Sequence, residues 1–182
     1  MLPAKTVHGF ISFAIFSLIF LKALGPNIFS EAADKSSNTI GAIELHECKD
    51  AKLKIQFLCY PDWELQTEKD TVLIIVSKDP LVTITIAKSD DAPISLRQLT
   101  PRALKEMGQY ADGFETQNVV INGQGGVEVK GRSLTHPKAR FLDYYIVRHG
   151  ELYSLLFSVE PHERWRDYEP LLIKIKDSVR FL

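Results

Sequence analysis

The sequence predicts an α+β protein, an α/β/α sandwich in which a central, mainly antiparallel β-sheet is flanked by helices. Three observations predict this architecture. Segments of strand-like composition occur in pairs, and hairpin-length links join most of them, which favours antiparallel pairing. Two amphipathic helical segments, one central and one terminal, must each bury an apolar face. A sheet offers two faces, so one helix on each face satisfies both.

Composition indicates a soluble globular protein. The chain has 182 residues, of which 45% are hydrophobic and 25% charged, and the formal net charge is -1. The length fits one domain with a tail. A charge this close to zero gives no electrostatic reason to expect nucleic acid or anionic lipid as a partner.

The N-terminal segment has the composition of a secretory signal. Lys5 and His8 precede an uncharged run from Gly9 to Leu21, and small residues follow. We predict cleavage after Ala32, a flexible linker at 33–42 and the folded domain at 43–182. A retained membrane anchor is the alternative, although the run is shorter than the roughly 20 residues that a spanning helix needs. The protein is therefore expected to be exported, to a periplasmic, extracellular or lumenal location.

Alternating or β-branched segments predict the strands. In the second segment, Leu53, Ile55 and Phe57 alternate with polar residues, which is typical of a half-buried strand. Glycine-containing links predict hairpin turns at Gly123–Gly126 and at His149-Gly150. The predicted strands are Ile43–Cys48, Leu53–Cys59, Thr71–Ser77, Leu81–Lys88, Thr116–Asn122, Val127–Leu134, Arg140–Arg148 and Glu151–Val159, with a short edge strand at Val179–Leu182.

Two helices are predicted. Thr100 and Pro101 resemble a cap and a first helical residue, and Gly108 or Gly113 could end that helix. The second helix spans Pro161–Val179. Because Pro170 interrupts the backbone hydrogen bonding, we expect either a kink there or a second helix that starts near Asp167.

The two cysteines are predicted to stay unpaired. If the first hairpin turns at Asp50-Ala51, Cys48 lies beside the turn and Cys59 at the far end. The extended residues from Leu53 to Cys59 span roughly 20 Å, whereas a disulfide needs Cα atoms within about 7 Å.

Several short motifs occur in an order that resembles the PsbP-like family, whose fold is shared by bacterial envelope proteins and a nuclear Ran-binding factor. The resemblance covers roughly residues 43–182. The motifs are Tyr60-Pro61-Asp62-Trp63, Asp79-Pro80-Leu81-Val82-Thr83-Ile84, Ser95-Leu96, Gly123–Gly126, Leu152-Tyr153-Ser154-Leu155, and a terminal helix with Trp165, Tyr168 and Pro170.

This resemblance implies an accessory protein without enzymatic activity. Photosynthetic members sit on the lumenal face of photosystem II and help retain calcium and chloride, so the family makes calcium or manganese a possible cofactor. The leader departs from that group, because it looks like a plain export signal rather than a two-part transit peptide. No metal-binding residue of the family maps onto this sequence.

Residues with metal-binding or catalytic chemistry are sparse. His46 and Cys48 are two apart on a strand and share a face, but two ligands make only half of a zinc site. His136, His149 and His162 lie in or beside predicted turns, and we interpret them as solvated. No serine lies on a Gly-x-Ser-x-Gly turn. The sequence therefore predicts no catalytic residues and no enzyme.

Basic residues concentrate on two adjacent predicted strands. Such charges form a solvated face or a surface for an acidic partner. Lys130, Arg132, Arg140 and Arg148 are the candidate partner-binding residues, with Lys138 nearby. The functional hypothesis is an accessory protein that docks on a protein partner at an envelope or membrane surface; the alternative is a small-ligand or divalent-cation (calcium or manganese) binding module. Trp63 and Trp165 are expected to pack in the core rather than to stack on a ligand.

Overall fold

The computed structural model describes residues 45–68, 70–89, 97, 111–134 and 138–182. The predicted signal segment (1–32) and linker (33–42) lie outside the described residues. The first predicted helix, from Thr100 to Gly108, also lies outside the described residues; Arg97, shortly before it, is described and is helical. Within the described part, no helix is both long and apolar enough to cross a membrane.

The described residues form ten strands in two antiparallel sheets, followed by a C-terminal helix. The larger sheet has seven strands in the order β3-β4-β5-β9-β8-β7-β6, and the smaller has three in the order β1-β2-β10. The strands are β1 (His46–Asp50), β2 (Ile55–Cys59), β3 (Glu64–Glu68), β4 (Thr71–Lys78), β5 (Leu81–Ser89), β6 (Ala111–Ile121), β7 (Gln124–Ser133), β8 (Arg140–Arg148), β9 (Glu151–Glu160) and β10 (Arg180–Phe181).

The predicted hairpins and antiparallel pairing are confirmed, but the prediction of a single sheet is wrong. β1, β2 and the short C-terminal β10 form a separate sheet. Strand β3 was also missed, because its Glu-Leu-Gln-Thr-Glu sequence carries one apolar residue, Leu65, which is itself exposed. As an edge strand it needs no buried face, so it has no hydrophobic alternation.

The centre of the large sheet is buried on both faces, as the apolar strand sequences require. Every interior residue of β5 and of β9 is buried. On one face, the core residues of β5, β8 and β9 join those of the small sheet and of the C-terminal helix in a continuous cluster that includes Trp63 and Trp165. The prediction that both tryptophans pack in the core is therefore confirmed. Helical cover on the second face stays a prediction.

The terminal helix is a 3-10 turn at His162–Arg164 continued by α1 (Trp165–Ser178). Pro170 lies inside α1, which runs without interruption, so the predicted restart near Asp167 does not occur, and the kink at Pro170 stays a prediction. Proline has no N–H, so α1 lacks one backbone hydrogen bond at this position, the one to the carbonyl of Arg166 four residues earlier. The buried side chains of α1 are Trp165, Leu172 and Ile175, which point at the sheets.

Cys48 and Cys59 form a disulfide, so the prediction of unpaired cysteines is wrong. The strand register explains the error. Asp50 pairs with Ile55, which places Cys48 opposite Phe57 and only two residues from the level of Cys59. The two Cα atoms are 5.9 Å apart. The expected length of roughly 20 Å was that of the second strand from Leu53 to Cys59, and it assumed that Cys48 lies beside the turn. Because β1 continues to Asp50, Cys48 lies two residues farther from the turn and closer to Cys59.

Removal of this cross-link is expected to destabilise the protein. The bond joins residues 11 apart in sequence, and closing a loop of that size removes unfolded-state entropy worth about 3 kcal/mol. The double variant Cys48→Ser/Cys59→Ser should therefore lose up to about 3 kcal/mol of unfolding free energy. Urea denaturation of the oxidised protein and the variant measures this loss. Equal midpoints with equal slopes would contradict it.

Two tight turns confirm the glycine signals. Asn122 and Gly123 form the β6–β7 turn with φ of 49° and 77°, and His149 and Gly150 form the β8–β9 turn with φ of 50° and 80°. Positive φ at both residues is the geometry of the hairpin turn whose twist matches the flanking strands. The predicted glycine loop is thus shorter than expected, and Gly126 lies within β7, where a Cβ would come within 2.8 Å of the Tyr145 carbonyl oxygen.

Candidate functional site

The candidate partner-binding cations lie on one face of the large sheet. Arg132 pairs directly with Arg140, and residues directly opposite in an antiparallel pair share a face. Lys130 and Arg148 are an even number of residues away along their strands, so they share this face too. The same face carries α1 over its middle. Arg148 follows Arg140 by eight residues along β8, a distance of about 26 Å, so the four cations do not form one compact patch.

Two of the cations face carboxylates on the edge strand β6. Lys130 Nζ lies 3.0 Å from Glu115 Oε2, and Arg132 Nη2 lies 3.1 Å from Asp112 Oδ2. All four side chains are exposed to a substantial degree. We call this set (Asp112, Glu115, Lys130 and Arg132) the charged face. It is a mixed-charge surface of two parallel ion pairs, and not the basic surface that the sequence suggested.

A β-bulge brings the two acids together. Asp112 pairs with Arg132 and Glu115 with Lys130, so Gly113 and the residue after it both oppose one residue of β7. Three residues apart on a regular strand, Asp112 and Glu115 would point to opposite faces. The bulge adds one residue, and Gly113 supports it with a φ of 58° that glycine adopts without strain. Gly113 therefore belongs to β6 and does not end the preceding helix.

The other two cations pack on aromatic rings. The Arg140 guanidinium lies 4.9 Å from the centroid of the buried Trp165 ring. The Arg148 guanidinium lies 5.5 Å from the Phe181 centroid, and its Nη1 donates to the Leu182 carbonyl oxygen at 3.2 Å. Cation–π contacts of this kind stabilise the fold locally. Arg140 thus covers the start of α1 and Arg148 holds the C-terminal strand, so both also have structural contacts.

A second cluster lies at the first hairpin. His46 pairs directly with Cys59, and Cys48 is two residues from His46, so the three side chains share one face of the small sheet. His46 Nε2 lies 3.2 Å from Cys59 Sγ and 3.5 Å from Cys48 Sγ. Among the described residues, these three form the one group of three or more potential metal ligands. The sequence analysis identified His46 and Cys48 as potential metal ligands. It missed Cys59 because it placed the turn of the first hairpin beside Cys48, with Cys59 at the far end.

The other two described histidines lie in two different turns. His149 is exposed in the β8–β9 turn, and His162 is partly buried in the 3-10 turn. His136 and His8 lie outside the described residues. Among the residues of the large sheet whose burial is described, Asp143 is the one buried carboxyl, and the sequence analysis did not single it out.

Solved structures with the same architecture are found by comparison. CyanoP, the PsbP protein of the cyanobacterium Synechocystis, aligns with a TM-score of 0.56 at 16% identity, covering 81% of this chain and 98% of that one. The chain has the PsbP-like fold. No protein-family model matches the sequence, and the search of curated proteins returns no significant relative.

Two further proteins with the PsbP-like fold come from distant sources. The Ran-binding protein Mog1p of Saccharomyces cerevisiae aligns with a TM-score of 0.54 at 9% identity, over 77% of this chain and 96% of that one. LpqN of Mycobacterium tuberculosis, which is involved in cell envelope biogenesis, aligns with a TM-score of 0.50 at 13% identity, over 69% and 81%. Identities this low show a shared fold and leave each protein's partner to be established separately.

Proposed function

We propose that this protein is a non-catalytic, exported accessory protein that docks on a protein partner in the cell envelope or at a membrane surface. The observation that carries the proposal is the charged face, in which strands hold two exposed ion pairs side by side at the β6 edge of the large sheet. Side chains ordered by neighbouring partners lose less entropy on binding than free ones. Complementary charges across an interface mainly provide specificity and register.

The fold neighbours support an accessory or binding role. Mog1p is a Ran-binding protein and LpqN is involved in cell envelope biogenesis. The leader-like N-terminal sequence supports export, and the absence of a catalytic motif from the sequence supports a non-catalytic role. A photosystem-associated role is the narrower form of the proposal, and the likeness to CyanoP supports it.

Charge reversal on β7 tests the docking surface. The variant Lys130→Glu/Arg132→Glu replaces both cations and leaves four acidic side chains together on this face. It should weaken the binding of an acidic partner surface about tenfold or more, because like charges across an interface cost several kcal/mol. The measurement is quantitative affinity capture of the same mass-identified partner from native membranes. Arg140 stays unchanged in this variant, because its guanidinium covers Trp165.

A matched control separates the effect of changing this surface from the effect of changing the net charge. Lys49 and Lys78 also form exposed ion pairs, with Glu47 and Glu64 respectively, each at 3.0 Å. Lys49→Glu/Lys78→Glu changes the net charge by the same amount and should leave capture intact. Exposed pairs contribute roughly 0.2–1 kcal/mol each, so both variants should stay folded. Unchanged capture by the Lys130→Glu/Arg132→Glu variant would refute the surface.

The calcium or manganese alternative has no specific support among the described residues. Those hard cations prefer oxygen ligands, whereas the one group of three potential ligands in the described part offers an imidazole nitrogen and two sulfurs.

A further inference from the structure

His46, Cys48 and Cys59 lie at the rim of the core. Cys59 is fully buried, Cys48 is partly buried and His46 is exposed, so the cluster has one closed side and one side open to solvent. The neighbouring Glu47 points to the opposite face of β1, where it accepts a hydrogen bond from Gln56 and pairs with Lys49. All three potential ligand atoms lie within 4.8 Å of one another.

We propose that reduction of the Cys48–Cys59 disulfide converts this cluster into a binding site for Zn²⁺. Two thiolates and one imidazole are a ligand set that zinc uses in open sites, where water occupies the fourth position. Soft thiolate ligands also favour zinc over calcium, magnesium or manganese. The proposal is independent of the docking surface, because the charged face lies on a different sheet.

The geometry fits a tetrahedral centre with little backbone movement. Zinc bonds of about 2.3 Å to sulfur and 2.0–2.1 Å to nitrogen separate a sulfur and a nitrogen ligand by about 3.6 Å. The two distances from His46 Nε2 to sulfur are 3.2 and 3.5 Å. Two sulfur ligands of a tetrahedral site lie about 3.8 Å apart, and side-chain rotation can open the two sulfurs to that distance across a Cα separation of 5.9 Å.

The chemistry is a two-electron exchange followed by metal binding. A dithiol reductant donates two electrons and two protons to the disulfide, and itself becomes a disulfide while Cys48 and Cys59 become thiols. Zinc then displaces the two thiol protons, which leave to solvent, and takes the lone pair of neutral His46. In an oxidising compartment the disulfide persists, so the site loads only where such a dithiol is present.

Metal titration of the purified protein tests the proposal. The protein is reduced under anaerobic conditions with a phosphine, which does not compete for metal as a dithiol would, and is then titrated with Zn²⁺ against a chromogenic chelator. The reduced protein should bind one zinc ion per chain, and the oxidised protein should bind none at this site. Zinc-edge X-ray absorption should show two sulfur ligands and the remainder nitrogen or oxygen.

Variants identify the ligands. His46→Ala keeps the disulfide and therefore the folded oxidised form, and it should lower the zinc affinity of the reduced protein roughly 100-fold or more, since even the loss of groups that only orient ligands costs 10–100-fold. His149→Ala, which changes an exposed turn histidine, should bind zinc as the unaltered chain does. If the reduced protein unfolds, zinc should refold it, and His46→Ala should not refold. Equal zinc binding by oxidised and reduced protein, or by His46→Ala and the unaltered chain, would overturn the site.

Discussion

Phe157→Ala is expected to lower the unfolding free energy by about 3–5 kcal/mol, the usual loss when a large aromatic side chain leaves a closed core. Phe157 is fully buried on β9. That strand lies between β5 and β8, where Phe157 is level with Ile84 on one side and Leu142 on the other. Its ring also makes an edge contact with Tyr144, at a centroid distance of 5.9 Å. Because β9 is hydrogen-bonded to β5 on one side and to β8 on the other, the backbone around the resulting cavity can move little to fill it.

Urea denaturation measures the effect, with an exposed site as the control. Val120 is 74% exposed on the edge strand β6. Val120→Ala should therefore change stability by less than about 0.5 kcal/mol. Since total stabilities are about 5–15 kcal/mol, Phe157→Ala should shift the midpoint by a large fraction of its value. A loss no greater than that of Val120→Ala would show that β9 is not the centre of the core.

Features that depend only on residues close together in the sequence were predictable. The turn at His149-Gly150 follows from local backbone preference, as does a turn at Gly123, although the predicted loop Gly123–Gly126 was too long, and β8 occupies the predicted range Arg140–Arg148. The order of strand pairs and the final helix followed from hydrophobic periodicity. The resemblance to the PsbP-like fold rested on this order, and the structural comparison confirms it.

Features that depend on register were not predictable. A shift in where the first hairpin turns changes the position of Cys48 relative to Cys59, and only the pairing of Asp50 with Ile55 fixes it. The charged face depends in the same way on one extra residue at Gly113, which brings Asp112 onto the face of Glu115. The sequence analysis named Lys130 and Arg132 but not their acidic partners, which lie on a strand whose start it placed five residues too late, at Thr116 rather than Ala111.

A group of ion pairs around Glu151 was also not predictable, because it joins residues that are far apart in the sequence. Glu151 of the large sheet pairs with Lys88 at 3.2 Å and with Lys54 of the first hairpin at 3.4 Å. The Tyr153 hydroxyl donates to the same carboxylate at 2.9 Å, and this bond together with the two lysines holds the pKa of Glu151 below its usual range. No local pattern could indicate that residues 97 apart in sequence meet here.

The contribution of Asp143 to the stability of the protein is expected to fall as the pH rises from about 4 to about 6. This carboxyl lies on the central strand β8 and is 2% exposed. Burial raises its pKa from 3.8 to about 6, although the hydroxyls of Tyr145 and Ser154 and the backbone of Tyr144 oppose the shift by hydrogen bonding. The Ser154 hydroxyl donates to Asp143 Oδ1 at 2.8 Å.

The sign follows from the protons bound in each state. Between the two pKa values the folded protein keeps the Asp143 proton, whereas the unfolded chain has lost it, so raising the pH favours unfolding. A shift of about two units corresponds to about 3 kcal/mol, present below pH 4 and lost by pH 6. Above pH 6 both states are ionised at this group, and its contribution is constant.

Asp143→Asn isolates this contribution, because other carboxyl groups titrate alike in both proteins. Relative to the unaltered chain, the variant should gain about 3 kcal/mol between pH 4 and pH 7, since an amide does not ionise. Urea midpoints measured at half-unit steps of pH give the difference curve. Asp112→Asn, at an exposed ion pair, should give a nearly flat curve. Parallel pH profiles for Asp143→Asn and the unaltered chain would mean that the carboxyl at Asp143 is stabilised as an anion in the fold, with its burial fully offset by the hydroxyl donors around it.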